Sequence, residues 1–135
     1  MLDQTEQRAF PSLNRGYNAT FKTGRMSVGL VVPLGAYPAS AVPDMAGHIV
    51  RARLADQLGF SALWLRDVPF NVPSFGDAGQ IFDPFVYLGA LAASTRDIAL
   101  GVASIVLPLR HPAHVAKAAA SADVLSGGRL LLGVA

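Results

Sequence analysis

Four short apolar runs punctuate this chain at a nearly even spacing, and that rhythm restricts the fold more than anything else in the sequence. They are MSVGLVVPL at 26–34, SALWLRD at 61–67, DIALGVASIVLPL at 97–109 and RLLLGVA at 129–135. Their starts, near Ser27, Ala62, Ile98 and Leu130, recur about every 35 residues. Each run is uniformly apolar rather than alternating, the pattern of a strand buried on both faces. Between them lie stretches with helical signals. In 43–60, Met45, Ile49, Ala52 and Ala55 share one stripe, flanked by Val50, Leu54 and Leu58, with Asp44 in the first turn and Gly59 as the residue that ends the helix. In 84–95, Asp83 is the N-cap and Pro84 the first helical position. Pro112 opens a third helix that stops at Gly127-Gly128.

Strands that alternate with amphipathic helices must run parallel. The expectation is an α/β fold of four parallel strands and three helices, preceded by an irregular arm over residues 1–25. Two architectures satisfy it: an open doubly wound sheet, or the first half of a (β/α)8 TIM barrel over 26–135. The first strand–helix junction, VVPLGAYPASAVPD, has no G-x-G-x-x-G, and no G-x-x-x-x-G-K-[ST] occurs in the chain. The nucleotide-binding open sheets therefore lose their main support, and an apolar strand at the C-terminus without a covering helix favours the half barrel.

Composition sharpens this. Charged residues make up 15% of the chain against about 25% in an ordinary globular domain. Small domains need more polar surface than large ones, not less, so the chain is expected to be part of something larger or to bury a broad face against a partner. Disorder is excluded by the same numbers. No run of about eighteen apolar residues exists for a transmembrane helix, and residues 1–25 lack the apolar core of a secretory signal. With no cysteine, thiolate metal sites and Cys nucleophiles are out, and a reducing cytoplasm fits. A net charge of +2 with scattered Lys and Arg gives no nucleic-acid footprint.

In either architecture ligands gather at the C-terminal ends of the strands. That rule selects Gly35, Ala36 and Tyr37, then Arg66 and Asp67, then 103–111, then Val134 and Ala135. Asp67 closes an otherwise apolar strand; it could hydrogen-bond a heterocycle, or form an ion pair near Arg66 or cap the long loop at 68–83. Arg110 and His111 could meet an anion or move a proton, or could be an acid's partner and an N-cap before Pro112. His111 and His114 form an H-x-x-H pair with no carboxylate companion, so no metal site is expected. Gly101, Ala103 and Ser104 are small where a barrel strand normally carries Val, Ile or Leu. They leave room for something flat, or they mark a bulge or close packing. Tyr37, Phe70, Phe75 and Phe82 could wall such a space.

The stretches LGFSALWLRDV and GVASIVLPLRHPAHVAKAAASADVLSGGRLLLGVA resemble the bacterial luciferase-like flavin monooxygenases, from about Met26 to Ala135. The resemblance implies a barrel that binds reduced FMN, or in some relatives a deazaflavin, and uses it with oxygen on a small organic substrate. It places Ala103 and Ser104 at a non-prolyl cis peptide behind the flavin ring, and Asp67 near the ring edge. Light-emitting members follow that acid with two histidines, whereas here Val68 and Pro69 follow, so aldehyde bioluminescence is not implied. The family's phosphate-binding segments lie beyond the fourth strand. The expectation is thus an N-terminal half barrel, with Asp67, Ala103 and Ser104 as cofactor-binding residues and no catalytic residue singled out. Its partner would be the remaining half or a second copy. The alternative is an inactive or purely flavin-binding polypeptide that self-associates.

Overall fold

The computed structural model describes residues 13–35, 43–70 and 82–135. The strands are β1 (Gly29–Val31), β2 (Ala62–Leu65), β3 (Ala99–Ile105) and β4 (Leu130–Val134). They form one sheet in the order β1-β2-β3-β4, every pair parallel. The helices are α1 (Arg15–Thr20), α2 (His48–Gln57), α3 (Pro84–Ser94) and α4 (Pro112–Ser126).

Strand order and helix placement decide between the two architectures. Register aligns Leu30, Leu63, Leu100 and Leu130 across the sheet. In one cluster with Leu65, Val102 and Ile105, the buried members of that row pack against Ala52 and Ala55 of α2, Leu88 and Leu91 of α3, and Val115, Ala119 and Ala122 of α4. All three crossover helices therefore cover one face. A doubly wound sheet places helices on both faces and reverses its strand order part-way; a barrel wall does neither. The structure is a barrel wall.

The other face is the inner one, carrying Ala62, Trp64, Ala99 and Leu131. Here the expectation of strands buried on both faces holds only in the middle of the sheet. Val31 is 58% exposed, and Leu132 and Val134 are exposed as well, all on the two edge strands of the sheet.

The local signals explain the helix boundaries. Asp83 Oδ1 accepts from the N–H groups of Phe85 and Val86 at 2.9 and 3.2 Å, with Pro84 next, as a proline-led helix start requires. Gly127 ends α4 at φ 68°, a conformation that glycine adopts without a Cβ penalty. Helix α2 starts later than its apolar stripe suggests. Asp44 sits in the preceding turn, accepting from Ala46 N–H at 2.8 Å, and the helix opens at His48.

The arm departs from expectation more clearly. Rather than being irregular up to residue 25, it contains α1, capped by Asn14 through Tyr17 N–H at 2.8 Å. Asn14 Nδ2 also donates to Leu130 O at 2.7 Å and Asp123 Oδ1 at 3.0 Å. Gly16 reads as a helix breaker, yet it lies inside α1 because a Cβ there would come within 2.6 Å of Arg129 O. Tyr17 then packs beside Trp64 and Leu131 on the inner face.

Arg129 fastens the opposite ends of the helices to the sheet. Its side chain is fully buried, and its guanidinium donates to Ser126 O, Thr95 Oγ1, Ile98 O, Ala92 O and Thr95 O at 2.7–3.1 Å. Replacing Arg129 by Met leaves several buried carbonyls without a donor, at about 1–3 kcal/mol each. Arg129→Met is therefore expected to lose at least about 3 kcal/mol of stability, and Arg129→Lys to recover less than half of it, in urea unfolding followed by the single Trp64. A loss under about 1 kcal/mol for Arg129→Met contradicts this account.

Candidate functional site

Two neighbouring features occupy the C-terminal ends of the strands. The first is a break in the β3–β4 ladder. Register runs evenly through Val102↔Leu132 and resumes at Ile105↔Val134, so Ala103 and Ser104 together face Gly133. The Ala103–Ser104 peptide is cis, at the position the family resemblance assigned to it. Gly133 suits this bulge, since a Cβ there would lie 2.6 Å from Val102 O. Ala103 is exposed and Ser104 half-buried.

Gly101 has a different reason to be small. A Cβ at Gly101 would sit 2.3 Å from Cε3 of Trp64, and one at Gly29 would sit 2.7 Å from its Nε1. The indole lies across the inner face from β1 to β3, so close packing accounts for Gly101, and the open space belongs to Ala103. Between α1 and this face lies an apolar cavity of about 330 Å³, bordered by Tyr17, Phe21, Trp64, Ala103, Leu131 and Gly133. None of the described residues bordering it is Lys, Arg or His. Its described lining is thus mostly apolar and supplies no cationic side chain.

The second feature is a charged cluster. Arg110 Nε donates to Asp67 Oδ2 at 2.8 Å and Nη2 to Oδ1 at 2.7 Å, a two-pronged contact that suits the planar guanidinium. The same Nη2 reaches Asp83 Oδ2 at 2.8 Å, and Val106 N–H donates to Asp67 Oδ2 at 3.1 Å. Of the open readings of Asp67, the ion pair is realised, with Arg110 rather than beside Arg66. Burial pushes the Asp67 carboxyl up. The hydrogen bonds from Arg110 and Val106 and the guanidinium charge outweigh that and hold it below the ordinary range. Asp67 and Asp83 raise the Arg110 value despite burial. His111 takes the N-cap role, its Nδ1 accepting from Ala113 N–H at 3.3 Å.

The aromatic residues divide. Phe82 packs against His48 and Tyr87 between α2 and α3 and does not wall the inner face; Phe70 is exposed. Ala36, Tyr37 and Phe75 lie outside the described residues. The sequence reading missed the His48 and Tyr87 pair, whose Nδ1 and hydroxyl are 2.8 Å apart. Burial raises Tyr87 to about 12 against the charge of Arg51, and burial followed by Arg51 lowers His48. The two are 39 residues apart, and no local spacing joins them.

Four parallel strands in sequential order, with every crossover helix on one face, define the wall of a (β/α)8 barrel. The family pattern described as luciferase-like monooxygenase matches residues 25–135, and the chain belongs to that family. It is 36% identical over 83 residues to 4-hydroxyprotoasukamycin monooxygenase of Streptomyces nodosus subsp. asukaensis, covering 62% of this chain and 21% of that one. It is 34% identical over 83 residues to the oxygenase component of flavin-dependent trigonelline monooxygenase of Acinetobacter baylyi, covering 62% and 22%. The chain thus spans about a fifth of these curated relatives. Among solved structures, monooxygenase RslO1 of Streptomyces bottropensis superimposes with a TM-score of 0.63 at 30% identity, covering 81% of this chain and 32% of that one. Two more distant structures share the fold at 23% identity and TM-score 0.62. One is the oxygenating constituent of 3,6-diketocamphane monooxygenase of Pseudomonas putida in complex with FMN, over 82% of this chain and 29% of that one. The other is an F420-dependent secondary alcohol dehydrogenase in complex with an F420-acetone adduct, over 80% and 31%.

Two outcomes test the geometry. Gly101→Val displaces the indole and is expected to cost about 1–3 kcal/mol, as overpacking does, with a red-shift of Trp64 emission; unchanged emission contradicts the packing. The depressed Asp67 value makes its share of stability complete above the unfolded carboxyl pKa, about 3.9. That share is lost as pH falls through the lower folded value. Asp67→Asn should therefore flatten the acid limb of the unfolding free energy, and parallel limbs for the two proteins would refute the assignment.

Proposed function

We propose that this chain supplies the N-terminal wall of a luciferase-like oxidoreductase that uses reduced FMN and oxygen on a small organic substrate. Residues 26–135 form the barrel portion, residues 1–25 an arm, and the protein works in the cytoplasm. The observation that carries the reading is the exposed, bulged strand end at Ala103–Ser104 opposite Gly133, inside the stretch that matches the family. The flavin of the trigonelline relative and the FMN of the camphane relative support the cofactor, and the F420-bound neighbour keeps a deazaflavin as the competitor.

When bound, the reduced flavin supplies the two electrons that activate oxygen. The chain's own part is placement and exclusion of water. Ala103 and Ser104 would lie against one side of the ring, because only a strand without bulky side chains admits a flat group so near its backbone. Trp64 and Leu131 fill the inner face beneath and keep water from that side. Asp67 supports the site from the end of β2. Cations for the phosphate would come from outside the cavity described.

One observation favours a second reading, a flavin-binding or structural polypeptide that pairs with a copy of itself. Val31, Leu132 and Val134 are exposed on the two edge strands, where a partner would cover them.

Titration of the purified chain with FMN and, separately, with F420, followed by quenching of cofactor fluorescence and by Trp64 emission, tests the first reading. Saturable binding with preference for FMN is expected, weakened in Ala103→Leu. No saturation by high-micromolar FMN overturns it. Light scattering tests the second reading, and a monomer at all concentrations refutes it.

A further inference from the structure

The Asp67–Arg110–Asp83 cluster does more than pair charges, because each member belongs to a different connection at the same end of the sheet. Asp67 lies two residues past β2. Asp83 is the N-cap of α3. Arg110 follows the 3-10 turn Leu107–Leu109 that joins β3 to α4. One guanidinium thus ties the exit of β2, the start of α3 and the exit of β3 together.

The contact between Asp67 and Val106 N–H falls two residues after Ser104. It fixes the backbone as it leaves the bulge. Asp67 accepts three donors, and its side chain is 3% exposed, so it is closed to a ligand. Whatever Asp67 does for the site, it does through Arg110 and Val106.

We propose that Asp67 and Arg110 are positioning residues that hold the exit of β3, residues 105–111, and thereby set the face that Ala103 and Ser104 present to the flavin. The flavin part of this proposal rests on the functional reading above; the placement of the β3 exit does not. Geometry favours arginine for the role. A planar fork with several donors spans Asp67 and Asp83 at once, whereas a lysine offers one nitrogen on a flexible stem. The Arg110 guanidinium also sits 5.8 Å from the centre of the Phe85 ring, which limits its swing.

The test uses Asp67→Asn, Arg110→Met and Arg110→Lys in the full chain, with amide hydrogen exchange read peptide by peptide and flavin affinity measured beside it. Arg110→Met and Asp67→Asn are expected to speed exchange of 105–111 by about tenfold or more, while β2 and the body of α4 exchange as before. FMN affinity should fall by a similar factor. Arg110→Lys should restore part of both. Exchange at 105–111 that stays unchanged in Arg110→Met overturns the proposal. Faster exchange with unaltered FMN affinity overturns the link to the flavin. If the unmodified chain binds no FMN, the functional reading fails, and the exchange result alone decides whether the pair holds the β3 exit.

Discussion

The fold depends on a guanidinium with no carboxylate within hydrogen-bonding reach among the described residues. Arg129 precedes β4, lies buried among backbone carbonyls and a hydroxyl, and donates to all of them. An α-helix leaves its last carbonyls unpaired, and burial makes that costly unless a donor is supplied. Here α3 ends against the sheet, and Arg129 reaches Ala92 O and Thr95 O across the gap. Ile98 O, just before β3, is satisfied by the same side chain. Burial pulls the Arg129 value down, with Asp56 and Asp97 opposing that shift and Arg15 adding to it. An arginine nonetheless stays charged at any physiological pH. Asp56 completes the arrangement by accepting from the N–H groups of Arg96, Asp97 and Ile98 at 2.6–3.0 Å. The α3–β3 turn is thus held from both signs of charge.

With the N-terminal ends of the strands fixed in this way, the helix-side face closes over a continuous apolar core. The inner face closes differently. Ala62 and Ala99 are small, Gly29 and Gly101 leave space, and one large indole fills it. Tyr17 of α1 covers the part near Leu131, although α1 stands before the stretch that matches the family. The low charge content that stands out in the sequence has its counterpart here, in apolar edge residues such as Val31 and Val134 that the described residues do not cover.

What could be read from the sequence follows the range of the interactions. Asp83-Pro84, Pro112 and Gly127 act on backbone groups within three or four residues, so the sequence shows their effect directly. The parallel four-stranded wall followed from uniform apolar runs at even spacing. Asp67, Ala103 and Ser104 could be placed at strand ends for the same reason. Partners could not. Asp67 meets Arg110 across 43 residues, His48 meets Tyr87 across 39, and Arg129 meets Ala92 across 37. Gly16 misled because a glycine looks the same whether it breaks a helix or lets one approach a neighbouring carbonyl. Phe82 misled because aromatic content alone does not say which face a loop end joins.

The two arginines also show why the two ends of the strands tolerate change differently. Arg129 is surrounded by backbone carbonyls, so its replacement exposes groups that no other side chain can satisfy, and the loss falls on folding. Arg110 is partly exposed and faces one buried carboxylate, Asp67, and one that water reaches, Asp83. Removing it loosens a connection without uncovering the core. In barrels of this kind the C-terminal ends of the strands carry function and the N-terminal ends carry stability. Here the two ends differ in one residue type, by whether the guanidinium faces backbone oxygens in the core or carboxylates at the rim.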